Sequence, residues 1–197
     1  SLPEGWTGSV GNTPRDVAWG DFDGDGALDL AVAWEGLPTP SQGGLGVFTL
    51  TTSGLVSLWS GPAGAWRAIA WADVDGDGDL DLSAGRDDGA IDVFFNDALA
   101  PCGSPLCSGW TSPDSLQARA LAWADRDGDG DLDLAVADAA GPVRIYDNPG
   151  DGQLVAGPVA TPTAPSRDLA WGDLAGDLRP ELVVSMDGVD RAWDASG

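Results

Sequence analysis

"WADVDGDGDLDL", residues 71–82, sets five aspartates within nine residues, Asp73, Asp75, Asp77, Asp79 and Asp81. Carboxylates this close repel one another and favour an open chain. Yet the stretch is bracketed by "AIA" and "LSAG", short apolar runs suited to burial. A charged loop between two buried strands needs a counter-charge.

The stretch is one copy of four. Aligned on Trp, the chain reads "RDVAWGDFDGDGALDLAVA" (15–33), "RAIAWADVDGDGDLDLSAG" (67–85), "RALAWADRDGDGDLDLAVA" (119–137) and "RDLAWGDLAGDLRPELVVS" (167–185). Trp19, Trp71 and Trp123 are spaced by 52 residues, and Trp171 follows after 48. A fixed period of this size marks an array of equivalent supersecondary units.

Each unit reads as β. "RDVAWGD" and "LDLAVA" alternate apolar with small or polar residues, the period-2 signature of strands, and the acidic loop is the turn between them. Third strands follow at 46–52, 91–97, 143–148 and 189–195, and fourth strands at 55–61, 107–113 and 154–160. Four short antiparallel strands per repeat of about fifty residues describe a propeller blade. The expectation is an all-β, single-domain β-propeller over 1–197, with blades at about 15–61, 66–113, 118–160 and 166–197. The N-terminal strand 4–10 resembles the fourth strands and would complete the last blade, within its own chain or from a second one. In "(V/I/L)-A-W-(G/A)" the bulky residues share one face and the small ones the other. Blades of this shape stack, each repeat Trp seated over its neighbour's small residues.

The loops place Asp at positions 1, 3, 5 and 9: Asp21, Asp23, Asp25 and Asp29; Asp73, Asp75, Asp77 and Asp81; Asp125, Asp127, Asp129 and Asp133. Position 7 (Ala27, Asp79, Asp131) offers its backbone carbonyl whatever its side chain. Hard oxygen ligands at alternate positions suit Ca²⁺, whereas Mg²⁺ tolerates an all-protein cage less well. An EF-hand is excluded, because position 12 holds Val32, Ala84 and Val136 and the flanks are strands. About three Ca²⁺ per chain are expected. The fourth loop keeps Asp173, Asp177 and Glu181 but has Ala175 at position 3, Leu178 in place of Gly, and Arg179 at position 7, so its site is expected to be weak or absent.

These loops and their spacing resemble the FG-GAP/VCBS repeats of integrin α-subunit propellers and of bacterial surface or secreted proteins. The resemblance covers nearly the whole chain, with "AWGD" and "AWAD" where the family name's own segments would stand. It implies Ca²⁺ on the aspartates above, and binding or adhesion in place of catalysis. Propellers of that family usually have seven blades. Four leaves three closures open: two chains in an eight-bladed ring, one self-closed chain, or a piece of a longer propeller.

Composition narrows the function. The chain of 197 residues carries a formal charge of −23, and its nine basic residues are all Arg. So acidic a surface repels nucleic acid and anionic lipid. The lack of His removes the usual general base and the commonest transition-metal ligand, and no catalytic constellation is expected. No apolar run is long enough to span a membrane. The opening "SLPEGWTGSV" lacks the basic start and apolar stretch of a leader and reads as a mature or trimmed chain. Cys102 and Cys107 in "PCGSPLCSG" are expected to form a disulfide, which places the protein in an oxidising compartment, secreted or on a bacterial cell surface. Arg15, Arg67, Arg119 and Arg167 precede each repeat Trp by four residues. They are expected to form inter-blade ion pairs with Asp such as Asp16 and Asp168, the alternative being an anion site at the channel mouth. The expected role is a non-catalytic binding or adhesion module for protein ligands. A lectin using sites between blades is the alternative.

Overall fold

The structure is a computed structural model that describes residues 12–36, 43–87, 89–97, 102–160, 165–186 and 189–193. These residues form four antiparallel sheets. The first holds β1 (Asn12–Gly20), β2 (Asp29–Gly36), β3 (Gly44–Thr51) and β4 (Gly54–Ser60). The second holds β5 (Trp66–Ala72), β6 (Asp81–Arg86), β7 (Ile91–Asn96) and β8 (Leu106–Thr111). The third holds β9 (Ala118–Ala124), β10 (Asp133–Asp138), β11 (Val143–Asp147) and β12 (Val155–Ala160). The last holds β13 (Ser166–Gly172), β14 (Glu181–Met186) and β15 (Val189–Trp193). Strand order within each sheet follows the chain, as in a meander. The expected strand 4–10 lies outside the described residues.

The hydrophobic core lies between the sheets. One cluster joins Phe22, Ala31, Ala33 and Val47 of the first sheet to Trp66, Ile69, Leu82 and Phe94 of the second. A second joins Val74, Ile91 and Val93 to Leu121, Leu134, Val136 and Tyr146, and a third joins Ala135, Val143 and Ile145 to Leu169, Leu182 and Val184. Each sheet presents bulky residues to its predecessor and small ones to its successor. Gly20 shows why: a Cβ there would lie 2.9 Å from Trp71 Cδ1 and 2.9 Å from Leu80 Cδ1. The Trp71 indole Nε1 donates to the Ala18 carbonyl at 3.4 Å, and Trp171 Nε1 to that of Ala122 at 3.2 Å. The expected seating of Trp over small residues is thus seen for Trp71 and Trp171. Trp19, in the first sheet, is instead 57% exposed.

The four repeat arginines share a feature the sequence did not disclose. The pairing of β1 with β2 skips Arg15, and the pairings of β5, β9 and β13 with their partners skip Arg67, Arg119 and Arg167. Each is the extra residue of a β-bulge, a device that re-aims a side chain. Arg15 Nε donates to Glu35 Oε2 at 2.7 Å, and Arg67 Nη2 donates to Asp87 Oδ2 at 2.8 Å. Both pairs lie within one sheet, which corrects the expected inter-blade pairing. The bulge turns the guanidinium toward the far end of its own hairpin. Asp16, the partner expected from sequence, instead accepts the backbone N–H of Ile69 in the next sheet at 2.9 Å.

Candidate functional site

The four acidic loops join the first two strands of each sheet and share one hydrogen-bond scheme. The N–H at position 6 donates to the position-1 carboxylate: Gly26 to Asp21 at 3.0 Å, Gly78 to Asp73 at 3.1 Å, Gly130 to Asp125 at 3.2 Å and Leu178 to Asp173 at 3.0 Å. The N–H at position 2 reaches the acid at position 9: Phe22 to Asp29 at 3.1 Å, Val74 to Asp81 at 2.8 Å, Arg126 to Asp133 at 3.1 Å and Leu174 to Glu181 at 2.6 Å. Position 6 has positive φ throughout, 87° at Gly26, 98° at Gly78 and 101° at Gly130. Leu178 adopts the same turn at 68°, where its Cβ is strained.

The scheme draws carboxylates together. Oxygens of Asp21, Asp23 and Asp29 lie within 4.8 Å of one another, as do those of Asp73, Asp75 and Asp81, of Asp125, Asp127 and Asp129, and of Asp173, Asp177 and Glu181. The fourth loop, expected to be deficient, therefore also gathers three acids. The expected carboxylate ligands Asp25, Asp77, Asp79, Asp131 and Asp133 stand outside these groups. Asp25 and Asp77 spend one oxygen accepting the N–H of Ala27 at 2.7 Å and of Asp79 at 2.9 Å.

A divalent cation fits this donor set. Asp21 Oδ1 and Asp73 Oδ1 are buried and accept no hydrogen bond, although their partner oxygens do. An ionised oxygen left so would cost several kcal/mol in order of magnitude. Burial pushes Asp81 up to about 7, against the N–H groups of Asn96 and Val74, which stabilise its charge. It also raises Asp29 and Asp133, and with the charge of Asp77 it raises Asp75. A bound cation reverses these penalties.

Two asparagines missing from the sequence expectation tie the loops together. The Asn96 backbone N–H donates to Asp81 Oδ1 at 2.8 Å, and its side-chain amide donates to the Phe22 carbonyl in the preceding loop at 2.8 Å. Asn148 repeats this with Asp133 at 2.8 Å and Val74 at 2.7 Å. The signal available was an Asn closing the third strand in "FFND" and "IYDN", 52 residues apart.

A cleft of about 530 Å³ opens between the first two loops, bounded by Asp23, Asp79, Asp97 and Leu58. Its far wall, Gly103 to Pro105, belongs to the short loop closed by the Cys102–Cys107 disulfide, whose Cα atoms are 6.0 Å apart. Among the described residues no helix is long and apolar enough to cross a membrane.

Comparison with known proteins agrees with the repeat. Residues 125–184, from the third acidic loop into β14, match the FG-GAP-like repeat family. A search of curated proteins finds no match. Among solved structures, rhamnogalacturonan lyase YesW matches with a TM-score of 0.61 and 19% identity, over 94% of this chain and 41% of its own. BBS1N, solved in complex with ARL6DN, matches at 0.60 and 17%, over 95% and 51%. The Vibrio cholerae (V. cholerae) biofilm matrix protein Bap1 matches at 0.54 and 21%, over 93% and 27%. The chain spans about two-fifths of the length of the lyase, and at these identities the likeness is one of fold. The chain thus has an all-β, propeller-like fold, and residues 125–184 carry an FG-GAP-like repeat.

Proposed function

We propose that the chain is a calcium-stabilised β-propeller of four repeats that works outside the cell as a non-catalytic binding module for protein ligands. The observation that carries this is the gathering of three carboxylates in each of the four acidic loops, with a buried position-1 oxygen that accepts no hydrogen bond in the first two. Asp21, Asp23, Asp25 and Asp29 with the Ala27 carbonyl would hold one Ca²⁺. Asp73, Asp75, Asp77, Asp79 and Asp81 would hold a second, and Asp125, Asp127, Asp129, Asp131 and Asp133 a third. Asp173, Asp177 and Glu181 would hold a fourth more weakly, for want of a carboxylate at Ala175. The ion supplies charge that locks each hairpin turn; the chain supplies the rigid rim. Millimolar extracellular calcium suits such exposed loops, and the disulfide suits an oxidising compartment.

A lectin that stacks sugars on the fourth strands would need open tryptophans there. Trp59 and Trp110, on fourth strands, are only 6% and 7% exposed, leaving no face on which a sugar ring could stack. The non-catalytic reading rests on the close-set carboxylates of the loops, which this reading assigns to the cation.

The test is an array of extracellular proteins beside an array of glycans, each probed in calcium and in chelator, with an eliminase assay on rhamnogalacturonan. Calcium-dependent protein binding is expected. Signal confined to glycans would establish the lectin, and unsaturated products would establish an enzyme.

A further inference from the structure

The connections between third and fourth strands differ from sheet to sheet, and the difference opens a gap in the rim. In the third sheet, connection 148–154 folds back on itself, the N–H groups of Gly150 and Gly152 donating to Asn148 Oδ1 at 3.1 Å and 3.2 Å. It fills the space between the second and third acidic loops. A Cβ on Gly150 would lie 2.6 Å from Asp131 Oδ2, and one on Gly152 would lie 2.5 Å from Phe95 Cζ and 3.5 Å from Asp75 Cβ. Asp23 and Asp79 are the equivalents of Asp75 and Asp131 one repeat earlier. Between them the space is open, as the cleft of about 530 Å³.

The wall of this cleft is fixed to both sheets. Ser104 and Pro105, on the approach to β8, stand on one side of it. The Cys102–Cys107 disulfide closes the chain around them, and Ser104 Oγ accepts the Trp59 Nε1–H of the first sheet at 3.1 Å. Phe22 and Leu58, packed in the core between the first two sheets, give the floor an apolar face. The charged groups that line the cleft are Asp23, Asp79 and Asp97, all of one sign, and no described arginine joins them. A divalent cation in each loop would leave the rim acidic, since the first loop has four carboxylates and the second five. A cleft lined by one sign of charge on low-dielectric walls concentrates its field on whatever enters.

We propose that the protein ligand docks at this cleft, and that the occupant is an arginine or lysine side chain presented by that partner. This deepens the protein-binding function above, on which it rests, by naming the chemistry recognised. The aliphatic stem of such a side chain packs on Leu58 and the edge of Phe22, while its charged head donates to Asp79 and Asp97. Asp79 serves the loop's cation through its backbone carbonyl and keeps its carboxylate for the partner. The volume lies within the range of about 300–1,000 Å³ of small-ligand pockets, enough for one long side chain with the backbone beside it.

The probe is an acetylated, amidated pentapeptide, Gly-Gly-Arg-Gly-Gly, with its Lys and Glu counterparts and with glucosamine as a cationic sugar. Each is titrated into the isotopically labelled full chain in calcium and followed by nuclear magnetic resonance. The Arg and Lys peptides are expected to shift the backbone amides of Asp79, Asp97 and Ser104, and the Glu peptide to leave them in place. Asp97→Asn should weaken the binding about tenfold, the size of a lost charge-assisted hydrogen bond. Pro105→Arg, at an exposed position, should abolish it by setting the chain's own guanidinium in the cleft. Both variants should keep their calcium-dependent melting, which shows that they fold. Equal shifts from the Glu peptide, binding that survives both substitutions, or shifts centred on other residues would overturn the proposal. So would shifts in chelator alone, which would put the peptide's cation in an empty loop, and glucosamine binding without peptide binding, which would give the cleft to a cationic glycan. The protein array described above separates this site from the function it rests on. Partners whose binding survives Pro105→Arg would sink the cleft and keep the protein-binding function. An array without partners, beside a cleft that takes the Arg peptide, would sink that function and leave the recognition of a basic side chain standing.

Discussion

Asn96 and Phe22, 74 residues apart, are joined by a 2.8 Å hydrogen bond from the asparagine amide to the phenylalanine carbonyl, and this bond links the second sheet to the acidic loop of the first. Asn148 makes the equivalent bond to Val74 while only 2% exposed. Replacing Asn148 by Ala leaves the Val74 carbonyl buried without its donor and should cost about 1–3 kcal/mol. Asn96→Ala, at a half-buried site, should cost less, about 1 kcal/mol. Chemical denaturation in calcium measures both. Equal and negligible losses would show that the clamps carry no strain between blades.

The fourth loop bears a removable defect. Leu178 sits at φ 68° and is 92% exposed, so it is strained and buries nothing in return. Leu178→Gly should stabilise the protein by about 1 kcal/mol, the cost of a left-handed residue with a Cβ. Adding Ala175→Asp restores the missing carboxylate, and the double variant should bind one more tight Ca²⁺ than the wild type. Isothermal titration counts the sites. An unchanged count would mean that Glu181, longer than Asp by one methylene, spoils the cradle.

Much of this was legible because a repeat is read four times. The strand order, the loop spacing and the small-against-large faces follow from residues at a fixed period, each copy correcting the others. The bulges at the repeat arginines were not legible, since an extra residue in one strand has no composition of its own. The expected pairing of Arg15 with neighbouring blades failed for that reason. Asn96 and Asn148 escaped notice because their acceptors are backbone carbonyls 74 residues away, which no side-chain pattern reports. The exposure of Trp19, by contrast, reflects its place in the array: its sequence context is that of Trp71.

The Arg67–Asp87 pair predicts an acid-sensitive contribution. The Arg67 guanidinium holds the Asp87 carboxyl below its ordinary 3.8. A depressed folded-state value stabilises the fold above the unfolded pKa, and the gain is lost as pH falls through the folded value. Arg67→Met should therefore lower stability near neutral pH by up to about 1 kcal/mol, the range of partly exposed ion pairs. The difference from wild type should shrink below pH 3.8. Thermal melts across that window, in constant salt, decide it; a difference independent of pH would assign the loss to packing of the Arg stem.

Asp73→Asn separates the charge of a loop from its hydrogen bonding, because the amide oxygen can still accept the Gly78 N–H that Asp73 Oδ2 accepts at 3.1 Å. In chelator the wild-type loop holds Asp73, Asp75 and Asp81 together with no cation, and the variant removes one of the repelling charges. It should then be as stable as wild type or more so. In calcium the sign reverses, because the variant forfeits the second loop's ion. An ion at a hundred times its dissociation constant contributes about 2.7 kcal/mol to the folded state, which sets the size of the loss. Asp21→Asn should behave alike in the first loop, where Gly26 donates to Asp21 Oδ2 at 3.0 Å and Oδ1 accepts no hydrogen bond. Melting curves of wild type and variants, each with calcium and with chelator, give the four stabilities needed. A variant that is less stable than wild type in both conditions by the same amount would show that Asp73 serves the turn alone and that no cation sits in its loop.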